Sequence, residues 1–166
     1  KCVVQMTLTT YDEDLCRKIE PNVSTTAERF EVLKTLRDAG IPTVVWLSPI
    51  LPFINDNEEN LVGILNMCIE AKVRGIICFG MGVTLREGNR EYFYEQLDRS
   101  FPGVKEKYVH TYGYQYMLDS PHNGYLMQIF HDTCEKHGIM HDNEQIFAYL
   151  SAFEEKENFK QLSLWD

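Results

Sequence analysis

The stretch that decides the fold is Pro42-Thr43-Val44-Val45-Trp46-Leu47-Ser48-Pro49-Ile50-Leu51-Pro52-Phe53-Ile54-Asn55-Asp56. Its first part, Thr43 to Leu47, is a short run rich in β-branched and aromatic residues, which predicts a strand. The prolines that follow Ser48 lack the backbone N–H that a sheet ladder needs, so the strand must end there. We therefore expect a strand whose carboxyl end continues into a stiff, extended loop.

Two similar apolar runs flank this strand, each separated from it by a helical pattern. Val3 to Thr9 and Gly75 to Phe79 predict strands, and Asn57 to Val73 predicts a helix. The helix between the first two strands begins at Thr25, where Thr-x-x-Glu forms a capping box, and ends at Gly40. Two consecutive βαβ units of this kind predict a parallel sheet with right-handed crossovers.

The remainder of the chain predicts mostly helices. Asn89 to Asp98, Gly124 to His137 and Asp142 to Lys156 have helical patterns, and four tyrosines between Tyr108 and Tyr116 are expected in a loop or excursion. The predicted class is α/β: residues 1–88 form the βαβαβ part, and residues 89–166 form a helical extension packed on the same domain.

Composition limits the functions that this chain can have. The 166 residues are 44% hydrophobic and carry a net charge of −9, so disorder is excluded, and phosphate-rich partners such as nucleic acids are repelled unless basic residues cluster locally. The most apolar stretch, Ile41 to Ile54, is too short and too rich in proline to cross a membrane as a helix. Five cysteines without framework spacing favour reduced thiols, and the N-terminus shows no signal peptide, so a cytoplasmic protein is expected.

The first predicted strand has an apolar edge with no partner before it. Unpaired edges of this kind promote association with other strands. We expect this edge to pair with a missing N-terminal half of the same protein, with a second copy of the chain, or with the C-terminal segment folding back. An isolated fragment with such an edge is expected to self-associate.

Ligands of parallel α/β proteins bind at the carboxyl ends of the strands, where three loops of this chain are expected to meet. These loops are Thr7 to Thr10, Ser48 to Asp56 and Gly80 to Arg86. The hydroxyls of Thr7 and Thr9 are two residues apart and point the same way along a strand. They are suited to ribose or carboxylate oxygens, and a water-facing strand end is the alternative.

Three further polar residues near these loops have a functional and a structural interpretation. Arg29 lies in the first turn of its helix, where the helix dipole disfavours a cation, so an acidic ligand group or Glu20 is expected beside it. Asn55 and Asp56 close the proline-rich loop, and the structural interpretation of Asp56 is an N-cap for the next helix.

Other patterns suggest different functions. Gly80-Met81-Gly82 after a strand is typical of phosphate-binding loops but lacks a third glycine, so a small nucleotide- or phosphate-binding module is the alternative hypothesis. The tyrosine segment allows a third hypothesis, an interaction scaffold. Cys134, His137 and His141 have the spacing of a zinc half-site, but no second ligand cluster complements them and Gly138 separates His141 from the helix, so no metal site is predicted.

Short motifs spread along nearly the whole chain resemble those of radical S-adenosylmethionine proteins of the spore photoproduct lyase type, whose members are often labelled DNA repair photolyases. The main motifs are Thr7-Leu8-Thr9-Thr10, Glu20-Pro21-Asn22, Ala27-Glu28-Arg29, Ala39-Gly40-Ile41-Pro42, the loop Ser48 to Asp56, Gly82-Val83-Thr84-Leu85-Arg86, Cys134-Glu135-Lys136-His137-Gly138-Ile139 and Gln161-Leu162-Ser163-Leu164-Trp165. Their order and spacing carry the resemblance more than any single motif.

The resemblance implies a partial (β/α) barrel that binds S-adenosylmethionine and a [4Fe-4S] cluster. The family holds that cluster with Cys-x3-Cys-x2-Cys, and the closest cysteines here, Cys68 and Cys78, are ten positions apart. The chain therefore looks like the C-terminal half of a parent barrel, inactive alone and binding neither cofactor by itself. Its implied partner is the missing N-terminal half, and DNA photoproducts are the implied substrate of the parent.

The same resemblance assigns cofactor contacts to positions in this sequence. Thr7 matches the polar position that contacts the methionine or ribose part of the cofactor, with Thr9 beside it. Four more residues fall where cofactor or substrate contacts are expected, namely Arg29, Ser48, Pro49 and Asn55. The catalytic residues of the parent are not assigned, because its hydrogen-donating cysteine would lie upstream.

Overall fold

The computed structural model of this chain describes residues 2–153. They form a mixed α/β structure with seven helices and five short strands. In chain order the elements are β1 (Val4–Thr7), α1 (Glu13–Ile19), α2 (Thr26–Asp38), β2 (Thr43–Trp46), α3 (Glu58–Glu70), β3 (Gly75–Ile77), β4 (Gly82–Thr84), α4 (Asn89–Ser100), α5 (Val104–Tyr112), β5 (Met117–Asp119), α6 (Asn123–His137) and α7 (Asn143–Ser151).

The central sheet is parallel and has the strand order β1-β2-β3. Val4 lies opposite Thr43, and Val44 lies opposite Gly75. This arrangement confirms the two βαβ units and the α/β class predicted from the sequence. The strands are shorter than predicted, because the chain turns away from the ladder soon after Thr7 and after Trp46.

The two faces of this sheet are covered differently. On one face, α2, α3 and α6 pack their apolar sides against β2 and β3 in a core that includes Leu33, Leu65 and Phe130, all fully buried. On the other face, Val44 and Ile77 contact Ile146 of α7. Each buried side chain of this size contributes about 2 kcal/mol. The larger core, between the sheet and α2, α3 and α6, therefore supplies most of the stability.

Several predicted helix ends are confirmed by their hydrogen bonds. The backbone N–H of Thr25 donates to the Glu28 carboxylate at 2.7 Å, and the Glu28 N–H donates to the Thr25 hydroxyl at 3.3 Å, which forms the expected capping box. α6 ends at Gly138, which has a φ of 64°. The N-cap of α3 is Asn57. The structural interpretation of Asp56 as that cap is therefore wrong.

Two segments expected to be irregular are helical. α1 lies in the predicted loop after β1, and its pattern was too weak to predict because only Cys16 of its seven residues is buried. Tyr108 and Tyr112 lie on α5, where both are buried in a second small core with Leu97 and Leu118. The expected tyrosine loop is thus wrong for these two residues, whose rings serve packing.

The division between residues 1–88 and 89–166 is crossed by an antiparallel strand pair. β4 lies before residue 88 and β5 lies after it, with Val83 opposite Leu118. The predicted helical extension therefore contains a strand. A run of three residues is too short to show an alternating pattern, and its pairing depends on a partner more than thirty residues away.

The edges of the parallel sheet differ. Beside β3, the Ile76 N–H donates to the Met140 carbonyl at 2.8 Å, so one edge is partly covered. Within residues 2–153 no strand pairs with the outer edge of β1. Whether the C-terminal segment pairs there lies outside the described residues.

The last described helix, α7, begins after the predicted cap Asp142. Of its predicted buried side, Ile146 is buried, whereas Phe147 is 41% exposed and Phe153, beyond the helix, is 74% exposed. The rest of the predicted helix, from residue 154 to Lys156, lies outside the described residues. None of the helices in the described part has both the length and the apolar character needed to cross a membrane.

Candidate functional site

A cavity of about 400 Å³ lies at the carboxyl ends of β1 and β2. We call it the strand-end cavity. One wall comes from β1, α1 and the loop after β2, and the other comes from α4 and the residue that follows it. Its lining residues include Thr7, Thr9, Lys18, Glu20, Pro49, Leu51, Asn55, Phe93, Gln96, Ser100 and Phe101. Thr7, Thr9, Pro49 and Asn55, four of the six residues predicted for the site, therefore share one cavity.

Thr7 and Thr9 both line this cavity, but their side chains are used differently. The Thr9 hydroxyl is buried and donates a hydrogen bond to the Glu20 carboxylate at 3.0 Å. Thr7 is exposed, and within the described part of the chain its hydroxyl has no hydrogen-bond partner. Of the two hydroxyls, Thr7 is the one available to a ligand.

Arg29 lies behind the cavity wall. Its guanidinium forms an ion pair with Glu20 at 2.6 Å and donates to the Thr7 carbonyl at 3.1 Å, and its side chain is only 11% exposed. The sequence predicted either an acidic ligand group or Glu20 beside this arginine, and in the structure the partner is Glu20. Arg29 thus holds α2, the end of α1 and β1 together, and neutralises the carboxylate at the cavity.

Asn55 is 1% exposed and all of its amide is used within the protein. Its NH2 group donates to the Thr9 carbonyl at 3.0 Å and to the Thr10 hydroxyl at 3.1 Å, and its oxygen accepts from the Leu51 N–H at 2.6 Å. The loop is consequently a compact turn and not the extended segment predicted. Asn60, which the sequence did not indicate, also donates to the Thr9 carbonyl, at 2.9 Å.

Asp56 joins the same loop to the second part of the chain. Its carboxylate, 5% exposed, accepts a hydrogen bond from the Ser120 hydroxyl at 2.5 Å. Burial first, and then the charges of Asp56 and Asp119, raise the pKa of Tyr112 to about 12. A neutral Tyr112 can therefore donate its O–H to the Asp119 carbonyl at 2.6 Å, which further fastens β5.

Ser48 lies apart from the strand-end cavity. Together with Pro49 it lines a neighbouring depression of about 290 Å³, whose other walls include Phe79, Gly82 and Asp119. Pro49 lines both spaces, so Ser48 adjoins the predicted site without entering it.

The glycines of Gly80-Met81-Gly82 have structural roles in this fold. A Cβ atom at Gly82 would lie 2.6 Å from the Leu118 carbonyl oxygen, so glycine permits the β4–β5 pairing. The Met81 N–H already donates to the Asn123 side chain at 2.7 Å. These contacts explain the glycine-rich segment without a phosphate, and Asp119 beside it would repel one.

The α4 wall was not predicted as part of a site. It lines the cavity with aromatic, aliphatic and polar side chains, those of Tyr92, Phe93, Gln96, Leu97, Ser100 and Phe101. Spacings of three and four residues place these side chains on one helix face. That periodicity is visible in the sequence, but it does not say what the face covers.

The side chains of His131, Cys134 and His141 pack against neighbouring side chains and do not form a metal site with any described residue. The His131 and His141 rings lie 5.2 Å apart, centroid to centroid. Cys134 is fully buried, and burial followed by the neighbouring Cys78 raises its pKa to about 12, which disfavours the thiolate that metals require. Among residues 2–153, no three His, Cys, Asp or Glu side chains form a group able to hold a metal ion.

Comparison with known proteins gives relatives without a described function. The chain is similar to the uncharacterized proteins Mb2609c of Mycobacterium bovis and Rv2578c of Mycobacterium tuberculosis, each 29% identical over 109 residues. The match covers 66% of this chain and 32% of each relative, so the chain spans about a third of the length of the curated relatives it matches. No family model and no solved structure matches the chain.

Proposed function

We propose that this chain is part of a radical S-adenosylmethionine lyase-like enzyme and that the strand-end cavity is part of its cofactor and substrate pocket. One observation carries the proposal. The resemblance assigns contacts to Thr7, Thr9, Pro49 and Asn55, which come from two separate segments, and these four residues line one cavity. Its place at the carboxyl ends of parallel strands is where such folds bind ligands.

The proposed parent fold is a partial (β/α) barrel, to which this chain contributes three parallel strands. The alternation of β1, α2, β2, α3 and β3 agrees with such a barrel. Among residues 2–153 no strand occupies the outer edge of β1, which suits it to the strands of an N-terminal half. That half is the proposed partner of this chain, and the reduced thiols expected from its cysteines fit a cytoplasmic enzyme.

The structure has a cavity large enough for part of S-adenosylmethionine but no suitable cysteines for a [4Fe-4S] cluster among the described residues. The cavity is of a size that takes part of a small ligand such as S-adenosylmethionine. The [4Fe-4S] cluster does not suit the cysteines, because Cys16, Cys68, Cys78 and Cys134 are buried and Cys2 is the one exposed among the described residues. The cluster is therefore proposed for the parent alone, where it would supply the electron that cleaves the cofactor.

Within this pocket some of the described residues contact the ligand and others hold those contact residues in place. Thr7 offers a free hydroxyl to a ribose or carboxylate oxygen, while Thr9, Glu20 and Arg29 hold the end of β1 in place. Repair of DNA photoproducts is the substrate implied for the whole enzyme by the resemblance alone. The charge of −9 gives a DNA substrate no electrostatic support.

The proposal is tested first on the coding sequence and then on the longer protein. The reading frame upstream of Lys1 is expected to encode Cys-x3-Cys-x2-Cys. The product of that longer frame, reconstituted anaerobically with iron and sulfide, is expected to cleave S-adenosylmethionine, measured as 5′-deoxyadenosine. Thr7→Val in it should lower cleavage about tenfold, because one hydrogen bond to the ligand is lost. Thr35→Val, on the exposed side of α2, is the matched control.

Two results would contradict this function. The first is a longer protein that lacks the cysteine motif or cleaves no cofactor. The second is a chain of these 166 residues that forms an active iron–sulfur protein by itself, since the cluster is assigned to the other half.

A further inference from the structure

We propose that the strand-end cavity selects an organic anion with an apolar body, whose anionic group is held by Lys18 with Gln96 and Ser100 beside it. This inference rests on the proposed function in one respect, the use of this cavity as a substrate pocket. It adds the chemical class of the substrate and the residues that select it.

The walls of the cavity favour an apolar body. Pro21, Leu51, Ile54, Val83, Leu97 and Phe101 all line it. Burying apolar surface against such walls contributes roughly 25 cal/mol for each Å², so a ring or chain of several carbons would be held well. A polar group of the ligand must then meet one of the few polar side chains present.

Three of those polar side chains are already committed within the protein. Asn55 uses its amide oxygen and both donors of its NH2 group, as described above. Thr9 donates to Glu20, and Glu20 is neutralised by Arg29. An acceptor atom of a ligand could engage Asn55 or Thr9 only by breaking an internal hydrogen bond, and the Glu20 carboxylate has no donor, so these groups do not hold an anion.

Lys18 is the cation that remains. Its ammonium lies 4.3 Å from the centroid of the Phe101 ring at the cavity wall. Among the described residues it has no carboxylate within 4.0 Å, whereas Lys34 and Lys105 pair with Glu31 and Asp98. Because the Arg29–Glu20 pair is neutral, Lys18 sets the sign of the charge at the cavity and favours an anion.

Gln96 and Ser100 provide the neighbouring donors. They lie one turn apart on α4, line the cavity, and are half-buried. Within residues 2–153 neither side chain has a hydrogen-bond partner. An amide and a hydroxyl placed in this way can donate to the oxygens of a carboxylate, sulfonate or phosphate. The overall charge of −9 repels anions at long range, so any anion binding must come from such a local site.

The test compares three probes with the same apolar chain and different head groups. Octanoate, 1-octanol and octylammonium are titrated separately into the 166-residue chain at neutral pH by isothermal calorimetry. Octanoate is expected to bind most tightly and octylammonium most weakly. Lys18→Met should weaken octanoate about fivefold, as for a partly exposed charge pair, and leave octanol unchanged. Lys34→Met is the matched control, because Lys34 also lies over a phenylalanine ring but outside the cavity.

Three more variants locate the binding. Ser100→Phe fills the cavity and should weaken octanoate and octanol together, with circular dichroism confirming the fold. Phe79→Asp removes an exposed aromatic group outside the cavity and should change neither affinity. Gln96→Leu keeps the side-chain volume and removes the donor, so it should weaken octanoate alone.

Several results would overturn the inference. These are equal binding of the three probes, preference for octylammonium, no binding of octanoate, or an octanoate preference that survives Lys18→Met. The proposed function fails separately, through the absence of cofactor cleavage by the longer protein. Octanoate binding at Lys18 without that cleavage would leave this inference standing and remove the enzyme class.

Discussion

Asn55 shows at the scale of a single residue how a predicted ligand contact can instead hold the site together. Its amide makes three buried hydrogen bonds: one closes the loop after β2 on Leu51, and two join that loop to Thr9 and Thr10 after β1. Thr7, by contrast, leaves its hydroxyl free toward the cavity. The family resemblance assigns a ligand contact to both residues. In the structure Asn55 stabilises the pocket, whereas Thr7 faces the cavity.

The Asn55→Leu variant tests this structural role. Leucine has a similar size but leaves the Leu51 N–H donor without an acceptor and removes one donor each from the Thr10 hydroxyl and the Thr9 carbonyl, which keeps Asn60, so the free energy of unfolding should fall by about 3 kcal/mol. Urea denaturation followed by circular dichroism measures this loss. Asn66→Leu, on an exposed position of α3, should change stability by less than about 0.5 kcal/mol. Equal effects of the two variants would show that the Asn55 bonds are unimportant.

At the scale of elements, the β4–β5 pair connects the parallel sheet region to the second small core. Gly82 permits this connection, since a side chain there would collide with the Leu118 carbonyl at 2.6 Å. The glycine is therefore required by strand pairing, which accounts for a motif that otherwise suggests phosphate binding.

The Gly82→Ala variant separates these two explanations. The added methyl group must push the strands apart, so we expect a loss of about 2 kcal/mol in the free energy of unfolding. Gly124→Ala, in the first turn of α6 with no atom within 4 Å of the added carbon, is the control and should be neutral or stabilising. Thermal unfolding compares the two variants. A stable Gly82→Ala protein that loses binding of inorganic phosphate would favour the phosphate-binding alternative.

For the whole molecule, the described residues leave the outer edge of β1 without a neighbouring strand. Backbone N–H groups alternate in direction along a strand, and those of Val4 and Leu8 donate toward β2. The N–H groups of Gln5 and Thr7 consequently face the open edge. This edge is suited to another strand, whether from a longer form of the protein or from a second copy.

Self-association of the isolated chain should therefore depend on this edge. We expect sedimentation velocity to show concentration-dependent dimers of the 166-residue chain. Gln5→Pro removes an outward N–H and should abolish them, because proline cannot donate to a neighbouring strand. Gln5→Ala loses the same side-chain contact with Trp46 but keeps the N–H, so it should still dimerise. Dimers that persist in Gln5→Pro would place the association elsewhere.

The parallel sheet and several helix caps could be predicted because their signals are local, although the cap of α3 is Asn57 and not the predicted Asp56. Thr25 and Glu28, or the glycine at 138, act within one turn of chain, and apolar periodicity reports burial wherever a strand or helix is long enough to repeat it. α1 and β5 escaped prediction because one is short and mostly charged and the other has only three residues.

The composition of the cavity depended on contacts between distant parts of the chain. The sequence predicted that Thr7, Thr9, Pro49 and Asn55 lie at the carboxyl ends of strands. Because the strands are parallel, these ends lie at the same edge of the sheet, which explains why the four residues line one cavity. Only tertiary packing showed that α4 forms the opposite wall, that the Asn55 amide is fully hydrogen-bonded, and that Lys18 has no carboxylate partner among the described residues. The partners of the Asn55 NH2 group lie more than forty residues away in sequence, so no local pattern shows that this group is already hydrogen-bonded.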